Sequence, residues 1–498
     1  MKATFILAAL ATLAASALAQ QAPASPASGD SSLDHTPVSV RLSFERLKLS
    51  PQERMGMMGL SYLFEVSPHV WVGPAVYGAA TGDRGGFFTG GFEAAWRQPL
   101  VSQLSLEAGL YAGGGGGSTA LVGGGLMLRP HLDLMWQQGP YRAGVSVSRV
   151  TFPSGSIRSS QAGLVLSMDH DFLHTSTRRV GQTLNLNERT GVGFDRVMGV
   201  AGVYKASSGA VDKAGSPQGK LGYAGFRMEQ DLNDTVFWGI EAAGAGSGSQ
   251  AGYAEFLGTA GVRNQMGGSP ITLGARVAAG LGGGGGVSAG GGPLLKAAAF
   301  AQAHFARDHS LMLEGGVAKS PDGDFRANFF SLMYAWDMDR PALGGSLSKI
   351  VLNEWEMSEQ HYLGAARGAG AGRDLDTIGL SLNRYVSDNL YLTGQAHSAF
   401  RGGAGGYSVG LFGVGARASL NSSGTSLSGE LLLGAAGGGG VASGGGAIVQ
   451  PMVYLRQAFT DAVGLKAGVG RVKSVKGSLD STVLDLSVSV GFGSSTKP

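Results

Sequence analysis

Histidine and carboxylate side chains at fixed spacing are the first places in this chain where chemistry could reside. Arg129, His131 and Asp133 occupy alternate positions, so an extended backbone would put all three on one face, where Asp133 could orient His131 as a general base. A nucleophile would have to come from elsewhere, and serines are too common to single one out. His170 and His174 stand four apart in MDHDFLHTS, the metal-ligand spacing of a helix. This stretch reads instead as a strand end, so a solvated turn is the simpler assignment. The chain contains no cysteine, which removes thiolate sites and disulfides. We therefore assign no catalytic, metal or cofactor site, and read the chain as non-enzymatic.

Glycine supplies the second pattern. GGGGVSAGGG (283–292) and GGGGVASGGG (437–446) are near-identical, and GGGGGSTALVGGG (113–125) is a looser copy. A phosphate loop would need a helix start and usually Lys-Ser/Thr after the glycines, and neither follows. Gly113, Gly123, Gly283, Gly290, Gly437 and Gly444 mark a candidate gate or corner. Four uses fit such hairpins: corners where a wall curves, a gate folding inward through glycine's conformational freedom, a smooth wall for a sliding polymer, or edge pairing with another molecule.

Around each copy the same elements recur. LFEVSPHVWVG, RMEQDLNDTVFWG and LNRYVSDNLYLTG precede the glycines; VSRVTFPSGSIRSS, GGVAKSPDGDFRANF and VGRVKSVKGSLDST follow them. Each is strand, polar turn, strand, with Gly, Pro, Asn or Asp where a hairpin needs them. Period-two alternation separates two faces: Leu484, Leu486, Val488, Val490 and Phe492 against Asp485, Ser487 and Ser489; Val38, Val40, Leu42 and Phe44 against Ser39, Arg41 and Glu45. The spacing predicts three units of about eight strands, at 37–188, 189–340 and 341–498, the last ending in a short tail.

Composition narrows the class. Glycine is 86 of 498 residues, hydrophobic residues are 43 % and charged residues 15 %, too apolar for a disordered polymer. The net charge of +3 and the lack of basic runs exclude nucleic acid as a partner. Residues 1–19 read as a secretory signal peptide with Ala17-Leu18-Ala19 before the cut, and 20–36 as a flexible leader. After the signal no apolar run is long enough for a membrane helix, which leaves a closed barrel as the way to span a bilayer.

Secretion, alternating strands and Trp71, Trp96, Trp136, Tyr141, Trp238 and Trp336 near turns together resemble the bacterial outer-membrane β-barrels, whose aromatic girdles lie at both interfaces. No specific family is matched. The resemblance departs at the end, where GSSTKP follows Phe492. It implies an all-β transmembrane antiparallel barrel in a Gram-negative outer membrane, with membrane lipid as a partner. The short junction at Asp337–Pro341 suits neighbouring strands of one sheet, so a single wall of about 24 strands is expected, with three tandem eight-stranded barrels as the alternative. Arg41, Glu45, Arg129, His131, Asp133, Asp169, Gln395, His397 and Asp485 then read as lumen lining of both charge signs. The function expected from one wide wall is a channel or export conduit for a hydrophilic solute or polymer, gated or plugged by the glycine hairpins or a periplasmic partner. Its alternative is a non-transporting surface protein, either tandem barrels or a glycine-rich scaffold.

Overall fold

The structure is a computed structural model that describes residues 33–186, 188–338 and 346–496. The expected signal peptide and residues 20–32 of the expected leader lie outside the described residues. Alternating sequences flanked by turn residues form strands throughout. The first eight are β1 (Asp34–Lys48), β2 (Arg54–Ser67), β3 (Val70–Thr81), β4 (Phe88–Val101), β5 (Leu104–Gly116), β6 (Met127–Gln138), β7 (Tyr141–Thr151) and β8 (Arg158–His174). After a 3-10 turn at Thr177–Arg179 and the short β9 (Thr183–Leu186) come β10 (Arg196–Ala206), β11 (Leu221–Asp231), β12 (Val236–Ser247), β13 (Ala254–Gln265), β14 (Ile271–Gly283), β15 (Pro293–Ala306), β16 (His309–Lys319) and β17 (Arg326–Asp337). The last set is β18 (Ser346–Ala365), β19 (Arg373–Tyr385), β20 (Leu390–Arg401), β21 (Ser408–Ser419), β22 (Thr425–Gly437), β23 (Ala447–Ala458), β24 (Val463–Ser474) and β25 (Asp480–Thr496).

These strands close as three separate antiparallel barrels of eight. β1 pairs with β8 (Ser43 opposite Val165), β10 with β17 (Ala201 opposite Leu332) and β18 with β25 (Ser358 opposite Ser487). The single wall of about 24 strands expected from the sequence is therefore not formed. Closure at eight pairs the first strand of each unit with its last and so removes the open sheet edges, and it brings charged residues from opposite walls into contact. In a cylinder three times wider those charges would face only water. The short second junction misled the expectation because it leads from the last strand of one closed barrel to the first strand of the next.

The first junction crosses the third barrel. β9 pairs with the start of β18, Lys349 opposite Thr183. Thr175 and Gly493 exchange backbone hydrogen bonds of 2.9 and 2.8 Å. Gly493–Thr496, which sequence reading treated as a tail, continue β25 beside Lys349–Leu352. Each barrel thus has a terminal end, where its first strand starts and its last strand finishes, and a glycine end, where the glycine-rich hairpins lie.

The walls are inverted relative to a water-soluble protein. On the outer surface Val145, Val147, Leu164, Leu166, Leu313, Leu332, Leu431 and Leu455 are exposed, whereas Arg41, Asp133, Arg227, Glu314, Glu356 and Lys466 are buried inside. Among the described residues no helix is long and apolar enough to cross a membrane, which has no bearing on strands.

Candidate functional site: sealed lumens and a ring of glycine-rich junctions

The period-two pattern aims every second residue inward, and in an eight-stranded barrel those side chains meet across the lumen. In the first barrel Arg41 on β1 reaches Glu93 on β4 (3.3 Å), Glu107 on β5 (3.0 Å) and Asp133 on β6. Arg129 contacts Glu45 at 2.9 Å. His131 is clamped between Asp133 (Nδ1, 2.9 Å) and Glu93 (Nε2, 3.2 Å), with no exposed side-chain surface. A base held on both nitrogens and sealed from solvent has no route to a substrate.

The second barrel repeats the principle with other residues. Arg227 and Arg276 both bind Glu241 and Glu314. Lys296 lies 2.8 Å from Glu241 and 2.6 Å from Glu255, which also accepts hydrogen bonds from the Tyr204 and Tyr253 hydroxyls. In the third barrel Lys466 bridges Glu356 (2.9 Å) and Glu430 (3.0 Å), Arg417 binds Glu354 across the lumen, and Gln360 donates to Asp485. Buried charges persist only when paired in this way.

At the glycine end each lumen is stoppered by apolar side chains. The glycine-rich hairpin folds inward and buries its valine: Val122, Val287 and Val441 in turn. Phe87 and Ile157 join Val122 in the first stopper, Tyr253 and Phe325 join Val287, and Tyr407 and Leu479 join Val441. Matching backbone bonds tie hairpin to neighbouring turn: Ser156 N to Leu121 O, Phe325 N to Ser288 O and Leu479 N to Ala442 O, each 3.0 Å.

The same hairpins join the barrels. The glycine hairpin of the second barrel packs on the 82–86 turn of the first, that of the first on the 402–406 turn of the third, and that of the third on the 248–252 turn of the second. Gly85 N donates to Gly290 O at 2.7 Å and Gly405 N to Gly123 O at 3.0 Å. Side chains are excluded here by contact: a Cβ on Gly283 would stand 2.6 Å from the Gly85 carbonyl carbon, and one on Gly437 would stand 2.2 Å from Gly252 N. The strands follow the same order, with β5 against β20, β14 against β3 and β22 against β12. Each contact joins the fifth strand of one barrel to the third strand of another. Three such head-to-tail contacts close a pseudo-threefold ring within one chain.

The junctions are not identical in detail. The one between the first and third barrels also holds an aromatic cluster in which Trp355 meets Phe64 (ring centroids 4.8 Å), Phe172 (5.8 Å) and Phe492 (6.0 Å). Between the first and second, Lys213 extends from the β10–β11 loop onto the carbonyls of Asp83 and Gly85 and the Ser118 hydroxyl. Burial, with Arg84 nearby, pushes the Lys213 ammonium below its ordinary range. Arg84 itself holds Glu53 at 2.6 Å, and that hydrogen bond lowers the Glu53 carboxyl.

Of the residues singled out from sequence, Arg41, Glu45, Arg129, His131, Asp133, Gln395, His397 and Asp485 are buried inside barrels. Asp169 is half-buried at the terminal end, where it accepts a 2.9 Å bond from Arg97. His170 and His174 lie on β8, the latter hydrogen-bonded to Thr36. Among the described residues no cluster of three or more His, Cys, Asp or Glu is placed to hold a metal. Gly123, Gly290 and Gly444 adopt positive φ where the hairpins turn; Gly113 lies in β5. Sequence reading missed the receiving turns, although Gly82/Gly86, Gly248/Gly252 and Gly402/Gly406 share one spacing ahead of each glycine motif.

No family model and no curated protein sequence matches the chain. Among solved structures it is similar to a mutant of the ferric enterobactin receptor from Pseudomonas aeruginosa (9 % identity, TM-score 0.28, 92 % of this chain and 80 % of that one). It is also similar to the siderophore receptor PirA from Acinetobacter baumannii (10 %, 0.28, 92 % and 81 %), and to the outer membrane protein opdK from Pseudomonas aeruginosa (10 %, 0.22, 92 % and 98 %). Overlaps this loose transfer neither architecture nor cargo to this chain.

Proposed function

We propose that the chain is an integral outer-membrane protein in which three filled barrels form a non-conducting surface scaffold. The observation that carries this reading is the inversion of the walls: apolar outside, paired charge inside. Water would leave dozens of exposed Leu, Val and Phe side chains unburied, whereas lipid tails solvate them. The outward face of β7 spans Tyr141 to Arg149, about 27 Å along the strand and roughly 20 Å in height at a barrel tilt, close to the apolar band of known membrane barrels. Turns at the terminal end are short, as on the periplasmic side of such barrels, so the glycine end faces outward.

The conduit expected from a 24-strand wall loses its route in this arrangement. Cross-lumen ion pairs and apolar stoppers occupy each barrel, so neither a plug partner nor a gate is required. The fourth strands of the second and third barrels, β13 and β21, present Phe256, Gly258, Ala260, Phe412 and Val414 outward, an apolar surface unsuited to a hydrophilic polymer. The alternative drawn from the sequence, tandem barrels acting at the surface without transport, is the one this geometry favours. The test is electrical. Purified protein inserted into planar bilayers should give no step conductance; large, persistent steps would refute the filled-lumen reading.

A further inference from the structure

We infer that the outer wall of the first barrel, at its glycine end, binds the phosphate groups of membrane lipids whose headgroups carry net negative charge. The inference rests on the membrane reading above and deepens it. On β7 the exposed outward residues run Tyr141, Ala143, Val145, Val147 and then Arg149; on β8 they run Met168, Leu166, Leu164, Ala162, Ser160 and then Arg158. β1 ends its outward face with Arg46 and Lys48, and β2 opens opposite Lys48 with Arg54. These four strands are consecutive around the wall, so Arg46, Lys48, Arg54, Arg149 and Arg158 form one patch directly beside the apolar belt. All five are exposed, and among the described residues none forms an ion pair.

Cations at this position need a counter-ion that itself sits at the edge of hydrocarbon. Phosphate in a lipid headgroup meets that requirement: guanidinium groups bind it through two parallel hydrogen bonds, while their aliphatic stems lie along the apolar surface. The opposite rim of the same wall ends in Trp96, Trp136 and Tyr141, all exposed, a boundary that needs no anion. The second barrel repeats the asymmetry, with Lys205, Lys319 and Arg326 at the glycine end and Trp238, Phe305 and Tyr334 at the other. In the third, Arg471 is paired with Asp480 at 2.5 Å, with Lys473 exposed beside it. Five exposed cations on four consecutive strands make the first barrel's patch the one proposed as the site.

The experiment uses the full chain in detergent, titrated with phosphatidic acid or with phosphatidylcholine of the same acyl composition, and counts retained lipids by native mass spectrometry. Phosphatidic acid should be retained and phosphatidylcholine should not. A variant combining Arg46→Gln, Lys48→Gln, Arg54→Gln, Arg149→Gln and Arg158→Gln should lose at least about tenfold in retention, given the electrostatic gain expected per basic residue near an anionic surface. Arg307→Gln with Lys349→Gln, at the terminal end, should change little. Equal retention of both lipids, or an unaffected five-site variant that still folds, would overturn the inference. So would full competition by soluble glycerol phosphate, which would assign the site to a free anion. Failure of the membrane reading is recognised separately: the wild-type chain would then stay in solution without detergent and would not enter liposomes.

Discussion

The three lumens differ where the three junctions match. At one repeated position the lumens hold Arg129, Lys296 and Gln450; at another they hold His131, Ala298 and Met452. Each barrel has solved the burial of charge with its own set of partners. The junctions, by contrast, keep glycine hairpin against glycine turn three times, fifth strand against third strand. What the repeat preserves is the fit of barrel on barrel, which points to the assembly as the working feature.

The largest expected effect comes from a lumen. Glu241→Ala removes the shared partner of Lys296, Arg227 and Arg276 and should destabilise the second barrel by about 3–5 kcal/mol, measured by denaturant unfolding in micelles. The same substitution leaves the first barrel's network untouched, so a collapse of all three barrels together would show that the lumens are not independent. Next come the junctions. Gly283→Val and Gly437→Val place side chains into the neighbouring backbone and should each cost about 1–3 kcal/mol. Their signature is separation of barrels, read as faster proteolysis at the uncovered receiving turn, 82–86 or 248–252 respectively, with each barrel still folded.

Smaller effects distinguish one junction from another. Trp355→Ala should weaken only the contact of the first and third barrels, by about 0.5–1.5 kcal/mol per ring pair, detectable as a lower midpoint in the same assay. The smallest is Glu53→Gln at the glycine end, worth roughly 0–1 kcal/mol because the pair with Arg84 is partly exposed at the surface. Since Arg84 holds the folded-state carboxyl below its ordinary value of 4.5, this contribution is complete above that value and is lost as pH falls through the lowered one. An acid titration of stability should show the step in the native chain and lack it in the variant.

Much of this was legible in the residues. Turn chemistry and alternation place the hairpins, and the glycine copies announce three units. Mixed charge signs on the inner face, from Arg41 through Asp485, carried more information than was taken from them. In a wide channel they are merely unselective, but across a narrow lumen they are complements. Closure itself is not legible, because alternation is the same whether β8 meets β1 or β10, and Asp337–Pro341 can serve either path. The partners of the glycine motifs were hidden for a similar reason. A spacing such as Gly82/Gly86 reads as an ordinary turn until the backbone of another barrel is seen resting on it.

The absence of cysteine makes the central claim directly testable. In separate variants, Ser43→Cys with Val165→Cys, Ala201→Cys with Leu332→Cys, and Ser358→Cys with Ser487→Cys place thiols at directly opposed positions across each closing seam, at strand-pair distances a disulfide can bridge. Three separately closed barrels predict that each pair oxidises within one chain and shifts its mobility on a denaturing gel. A failure of all three, with cross-linking instead between cysteines introduced on β8 and β10 or on β1 and β25, would contradict the account and restore the single wide wall.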